Sequence, residues 1–417
     1  MGGGLLQLVA YGAQDVYLTG NPQITFFKVA YRRHTNFALE AIEQTFNGNP
    51  TYGSRVTCQI SRNGDLINRM YLQVKPSAGS NYVNYYGLRL LNYVEIEIGG
   101  QKIDKHYSHW LYVWNELTLP KSKRYGYSEM VGGLGADSVA GKTLYIPLEF
   151  WFCRNIGLAL PLIALQYHEV KVNINFETAA KCGADANGTI NASLWVDYIY
   201  LDTDERRRFA QLSHEYLIEQ LQFTGQEAIV SSSVKTKLNF NHPCKELVWF
   251  IAKDSDTNTA SVNNWFNYTT KSTAVDNKLT NNAALNETLM QSDINYVAKS
   301  SSEPSNPVKS AKLVLNGNDR FYERPGRYFN LIQPYQHHEN IPSNAGINVY
   351  SFALKPEEHQ PSGTLNMSRI DTAVLNLTFE AEISGGYKAS DYTLFVYAVN
   401  YNVLRILSGM GGLAYSN

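Results

Sequence analysis

Val170-Lys-Val-Asn-Ile-Asn-Phe-Glu177 comes back later in the chain as Ala373-Val-Leu-Asn-Leu-Thr-Phe-Glu380 (offset 373 − 170 = 203). Apolar and polar residues alternate from Val170 to Glu177 and again from Leu375 to Glu380, the period-2 signature of a strand that hides one face and wets the other. Working outward, the neighbourhoods repeat as well. Val56-Thr-Cys-Gln-Ile-Ser-Arg62 and Met70-Tyr-Leu-Gln-Val74 are echoed by Val234-Lys-Thr-Lys-Leu-Asn-Phe240 and Leu247-Val-Trp-Phe-Ile251. Val94-Glu-Ile-Glu-Ile-Gly-Gly-Gln-Lys102 is echoed by Ala311-Lys-Leu-Val-Leu-Asn-Gly-Asn-Asp319, and Leu194-Trp-Val-Asp-Tyr-Ile-Tyr200 by Leu394-Phe-Val-Tyr-Ala-Val-Asn400. The order is the same in both halves. This is a tandem duplication of a whole domain, far longer than a solenoid or propeller repeat.

Strands of this kind predict an all-β protein of antiparallel sheets packed as sandwiches. Leu194–Leu201 and Leu394–Tyr401 are apolar on both faces, which places them centrally or at an interface. Helical signals are short: Tyr107–Leu119, stopped by Pro120, and Glu205–Gln211. The domain boundary falls in Gln211–Gln222, where Leu217, Ile218 and Leu221 predict a rigidly packed linker. Lys121–Lys142 and Asp254–Pro307 have no partner in the other repeat. The latter exceeds ordinary loop lengths, and Trp265, Phe266 and Tyr268 give it an aromatic anchor.

Composition narrows the function. The chain has 417 residues with 29 tyrosines and a formal net charge of −1. Its halves are nearly neutral too: residues 1–212 carry 20 basic and 18 acidic groups, residues 213–417 carry 16 and 19. A duplex-binding protein needs a strong basic face, so no specific nucleic-acid partner is expected. Cys58, Cys153, Cys182 and Cys244 show no CxxC spacing and read as buried thiols. No secretory leader pattern opens the sequence.

Candidate chemistry is thin. Asp104, His106 and His109 come nearest to a metal cluster: the two histidines could set their imidazoles on one helical face, but a site needs a third and fourth ligand, and no HxH, HExxH or CxxC partner exists. The acids Asp197, Asp202, Asp204 and Glu205 could serve as acid and base, although Asp202-Thr-Asp-Glu also reads as a helix cap. His168-Glu169 and His214-Glu215 are adjacent pairs that point to opposite faces of a strand. Gly409-Met-Gly-Gly412 lacks the Lys-Ser/Thr of a phosphate loop. Neither catalysis nor a cofactor is expected. Of six N-x-S/T sequons, Asn187, Asn191, Asn267 and Asn286 lie in or beside loops and are possible glycan acceptors, while Asn376 falls inside a strand.

Several long runs resemble the major capsid proteins of large eukaryotic double-stranded DNA viruses, those of the chlorovirus and phycodnavirus group above all. They are Gln7–Lys28, Gln59–Leu66, Ile98–His106, Gly157–Glu169, Trp195–Gly225 and Asn400–Gly412. The departures fall in Lys121–Lys142, Ala179–Gly188 and Asp254–Pro307. The resemblance implies a double jelly roll, with two tandem eight-stranded antiparallel barrels joined by short helices and long loops. Its expected parts are an arm (1–27), a first jelly roll (28–212), a linker (213–222) and a second jelly roll (223–417). It further implies a homotrimer of pseudo-hexagonal outline, packed against neighbouring capsomers in an icosahedral shell. The arm would face minor capsid proteins and an internal membrane. The Asp254–Pro307 loop would point outward and carry host contacts or glycans, and assembly would take place in the host cytoplasm. Two rival readings are a glycan-binding pair of β-sandwiches and a hydrolase using the acids at Asp197–Glu205.

Overall fold

The computed structural model describes residues 3–77, 82–133, 139–185, 188–258, 264–270, 306–380, 383 and 388–415. Met1–Phe37 forms one compact unit and Ala38–Asn417 another. The first unit therefore runs past the arm boundary expected at residue 27. It holds two short helices, Gly4–Leu8 and Val16–Thr19. Tyr17, Phe26, Phe27 and Tyr31 within it are exposed.

Besides the two-residue strand Leu160–Pro161, which pairs with Leu66–Ile67, the first half supplies β1 (Phe37–Gln44), β2 (Arg55–Gln59), β3 (Leu66–Pro76), β4 (Leu91–Ile98), β5 (Gln101–Tyr107), β6 (Leu144–Pro147), β7 (Val170–Phe176) and β8 (Ile190–Leu201) among the described residues. They lie in two sheets, in the orders β1-β8-β3-β6 and β2-β7-β4-β5. The second half gives β9 (His214–Phe223), β10 (Ser233–Lys237), β11 (Pro243–Lys253), β12 (Val308–Leu315), β13 (Asn318–Asp319), β14 (Asn348–Ser351), β15 (Ala373–Phe379) and β16 (Tyr392–Leu407). Their orders are β9-β16-β11-β14 and β10-β15-β12-β13, the same pattern again. The long pairings are antiparallel. Two four-strand orders that interleave first with last and second with second-last define a jelly roll, and the chain contains two. A final strand, β17 (Met410–Leu413), folds back on β16.

The repeated octapeptides are β7 and β15, each placed inside its sheet. In β15 burial follows the sequence residue by residue: Ala373, Leu375, Leu377 and Phe379 are buried and the residues between them are not. β7 departs at Asn173, which is buried because Thr57 Oγ1 donates to its Oδ1 at 2.7 Å.

One expectation needs correction. Residues 213–222 are not a linker: His214–Phe223 is a full strand paired with β16 along its length. Its Glu219 and Gln220 hid the strand pattern, since both are buried and find partners in the first barrel (below). Within Lys121–Lys142, which has no partner in the other repeat, Lys121–Val131 forms a helix closed by Gly132 in the left-handed region at φ +75°. Of the two helices read from sequence, Ser108–Thr118 (α1) and Thr203–Gln211 (α3) are present, with Lys121–Val131 (α2) between them.

Candidate functional site: the buried junction of the two barrels

α1 is apolar nearly all round, and residues 108–117 are all buried. A helix with no wet face must be covered on every side. The first barrel covers one side, and the β9-β16-β11-β14 sheet of the second covers the other. β16 shows how that is done. Leu394, Val396 and Ala398 join the core of their own barrel. Phe395, Tyr397 and Val399 join the cluster that includes α1 and the first barrel. β11 divides likewise, with Leu247, Trp249 and Ile251 in one core and Val248, Phe250 and Ala252 in the other. Of the two-faced apolar runs in the sequence, Leu394–Tyr401 is a strand clamped between two cores, whereas Leu194, Val196 and Tyr198 of Leu194–Leu201 are buried and Trp195 and Asp197 between them are not.

Aromatic rings fill the junction. Trp110 lies 5.5 Å from Tyr397, Phe223 4.6 Å from Tyr397 and 4.9 Å from Tyr107, and Phe250 5.1 Å from Phe395. The anchor expected in the long loop is here as well: Trp265 stacks on His109 at 4.5 Å, and the Arg89 guanidinium sits 3.2 Å above its ring. Tyr268 packs 4.0 Å from Phe250 and its hydroxyl meets His109 Nδ1 at 2.7 Å.

Beside the rings runs a line of buried charge. Glu219 of β9 receives Arg154 from the first barrel at 3.1 Å and Lys245 of β11 at 2.8 Å. Burial pushes the Glu219 carboxyl up, but Arg154, His359 and Lys245 together outweigh burial and hold it at about 2. Lys245 is lowered by burial against the pull of Glu219, and its ammonium also donates to Pro356 O at 2.6 Å. Next along, His338 bridges Glu246 at 2.8 Å and Glu357 at 2.7 Å. Burial lowers His338, yet the two carboxylates raise it to about 9. Two backbone contacts finish the seam: Leu221 N–H donates to Asp104 Oδ1 at 3.0 Å, and the Gln220 side-chain amide donates to Ile103 O. A cavity of about 570 Å³ opens beside it, lined by Asn68, Arg69, Arg154, Asp197, Glu219 and His359 among others.

The residues singled out from sequence go to structural posts. Asp104 and His106 pair at 2.9 Å, while His109 turns away into the aromatic pocket, where burial first and Arg89 second drive it down to about 3. Among the described residues no group of three or more His, Cys, Asp or Glu could hold a metal. Asp202 caps α3 by accepting from Glu205 N–H at 2.9 Å, and Asp204 and Glu205 fill its first turn. Gly409-Met-Gly-Gly412 is the hairpin into β17: Ser408 and Gly409 take φ +50° and +81°, the two positive values a tight hairpin turn needs. Gly411 presses on the first barrel, where a Cβ would come within 2.6 Å of Leu165, and its N–H donates to His168 Nδ1 at 3.1 Å. Of the sequons, Asn191 is exposed at the start of β8, and Asn267 is buried with its Oδ1 accepting from Thr269. Asn187 and Asn286 lie outside the described residues. The seam of Glu219, Lys245, Glu246 and His338 was missed. Its one sequence signal is Lys245-Glu246 standing at the head of the apolar strand Leu247–Ile251.

Comparison with known proteins agrees with this architecture. Residues 25–202 match the profile described as major capsid protein N-terminus, and residues 205–412 match that of the large eukaryotic DNA virus major capsid protein. The junction of the two matches coincides with the entry into α3. The chain is similar to the major capsid protein of Pyramimonas orientalis virus, at 53% identity over the whole of both chains. It is 47% identical to that of Paramecium bursaria Chlorella virus 1, again over all of both. The crystal structure of PBCV-1 VP54 superposes with a TM-score of 0.76 at 41% identity, covering 94% of this chain and 100% of that one.

Proposed function

This chain belongs to the major capsid proteins of large eukaryotic DNA viruses, and from that membership we propose that it builds the virion shell as a homotrimeric capsomer. The observation that carries the proposal is the duplication fused into one body. Two barrels of identical strand order, locked together by α1 and the two-faced strands, form a unit of fixed angle. Three such units present six barrels around a three-fold axis, a pseudo-hexagon that tiles a flat facet with one gene product. The arm supports docking beneath the shell on minor capsid proteins and the internal membrane side, through exposed Tyr17, Phe26, Phe27 and Tyr31. The outward placement expected for Asp254–Pro307 falls mostly on residues 259–263 and 271–305, which lie outside the described residues. Of the two candidate acceptors among the described residues, Asn191 is exposed and open to a glycan, whereas burial removes Asn267 from a folded substrate. Assembly is assigned to the host cytoplasm, in keeping with four unpaired cysteines.

Light scattering after size exclusion tests the capsomer. A species of three times 47.0 kDa, 141 kDa, that persists on dilution is the expected result. A stable monomer overturns it.

A further inference from the structure

Residues 338–344, His-Glu-Asn-Ile-Pro-Ser-Asn, cross from the second barrel to the C-terminal end of α1 in the first. At one end His338 is fully buried between two carboxylates, Glu246 of β11, itself fully buried, and Glu357 of the following loop. At the other end the segment caps the helix. Asn340 Nδ2 donates to Leu119 O at 2.6 Å and to Leu117 O at 3.3 Å, while its backbone N–H donates to Leu117 O at 3.1 Å. These are carbonyls at a helix end, which have no partner within the helix. Ser343 donates from N–H and hydroxyl to Glu116 Oε2 at 2.9 and 2.6 Å, and Asn344 donates to Phe266 O at 2.6 Å.

We infer that residues 338–344 are a clasp between the barrels whose closure requires a proton on His338. With the imidazolium present, both carboxylates are answered and the segment is held against β11. With a neutral imidazole, Glu246 keeps its charge in a fully buried position beside a ring that no longer balances it. Breaking a buried pair from one side is strongly destabilising. Relief comes from moving the segment outward, which takes Asn340 and Ser343 off α1. The other charged groups nearby do not substitute. Lys245 is committed to Glu219 and Pro356 O, and Lys355 pairs with Glu358 at 2.8 Å at the surface. On the helix side Arg124 pairs with Glu116 at 3.7 Å. His337 contacts Leu354 O, His359 lies 3.7 Å from Glu219, and Glu339 N–H donates to Glu357. The sign follows from the raised imidazole: the clasp is closed at neutral pH and below, and opens as pH rises through about 9. It makes the capsomer labile to alkali at one defined place.

Hydrogen exchange on the full-length protein, corrected for the intrinsic rate, tests this between about pH 7.5 and pH 10. Amides of residues 115–119 and 338–344 should lose protection together, about tenfold or more, while those of β2 and β7 hold. In His338→Gln the step should vanish, with the segment already open at neutral pH. Glu357→Gln keeps the imidazole and removes the less buried carboxylate, so its step should move to lower pH, and it serves if His338→Gln does not fold. A step that persists unchanged in His338→Gln, a midpoint unmoved in Glu357→Gln, or loss of protection only with global unfolding overturns the clasp.

Discussion

Lys245 and Glu246 stand side by side at the head of β11, and both carry charge into the interior. Sequence showed the anomaly but not its resolution, because the partners come from distant places: Arg154 and Glu219 for one, His338 and Glu357 for the other. Neither charge survives alone in such a place, so the single substitutions should be worse than the pair. Lys245→Met leaves Glu219 answered mainly by Arg154, and a loss of about 3–5 kcal/mol is expected for breaking a buried pair from one side. Adding Glu219→Leu should restore part of that, since Arg154 borders the open cavity and can be hydrated. A double-mutant cycle in urea measures the coupling, and strict additivity would show that the two do not interact. Glu219 also sets an acid limit. Its folded value is depressed to about 2, so its stabilisation is complete above the ordinary carboxylate range and fades as pH falls towards about 2. Glu219→Gln should flatten the acid arm of a stability–pH curve over that window.

At the scale of elements, the strands with clean alternation were legible from sequence and β9 was not. β15 needs one wet and one dry face, and its residues say so directly. β9 places Glu219 and Gln220 in buried positions with partners across the junction, so its pattern reads as a rigidly packed linker until the first barrel is in place. β16 was legible as two-faced, and its two faces should be separable by experiment. Leu394→Ala opens a hole in the second barrel alone, whereas Phe395→Ala opens one in the junction. Each should lose about 2–5 kcal/mol. Their calorimetric signatures should differ. Leu394→Ala lowers the melting temperature of one cooperative transition. Phe395→Ala weakens the coupling of the barrels and should split or broaden the endotherm. A single sharp transition in both variants would mean that the junction does not set cooperativity.

For the whole molecule, the duplication announced two domains, but nothing in one chain's alternation shows how copies meet, because a contact between copies leaves no periodicity in the sequence. The same reasoning separates the arm from the fold. The buried residues of both cores run from Val56 to Ile406, all of them within the second unit. Removing residues 2–27 should therefore leave the melting temperature within about 2 °C of the full chain, against the 2–4 °C that about 1 kcal/mol moves in a chain of this order of size. The solution mass per assembly should match that of the full chain, which is three copies in the proposed capsomer. Growth of trimers into closed shells should suffer, because exposed Phe26 and Phe27 are lost together with the surface they would cover. Sedimentation and electron microscopy of assembly reactions supply the readout. A truncated protein that closes shells normally would strip the arm of its docking role, and one that melts many degrees lower would make it part of the barrel's own packing.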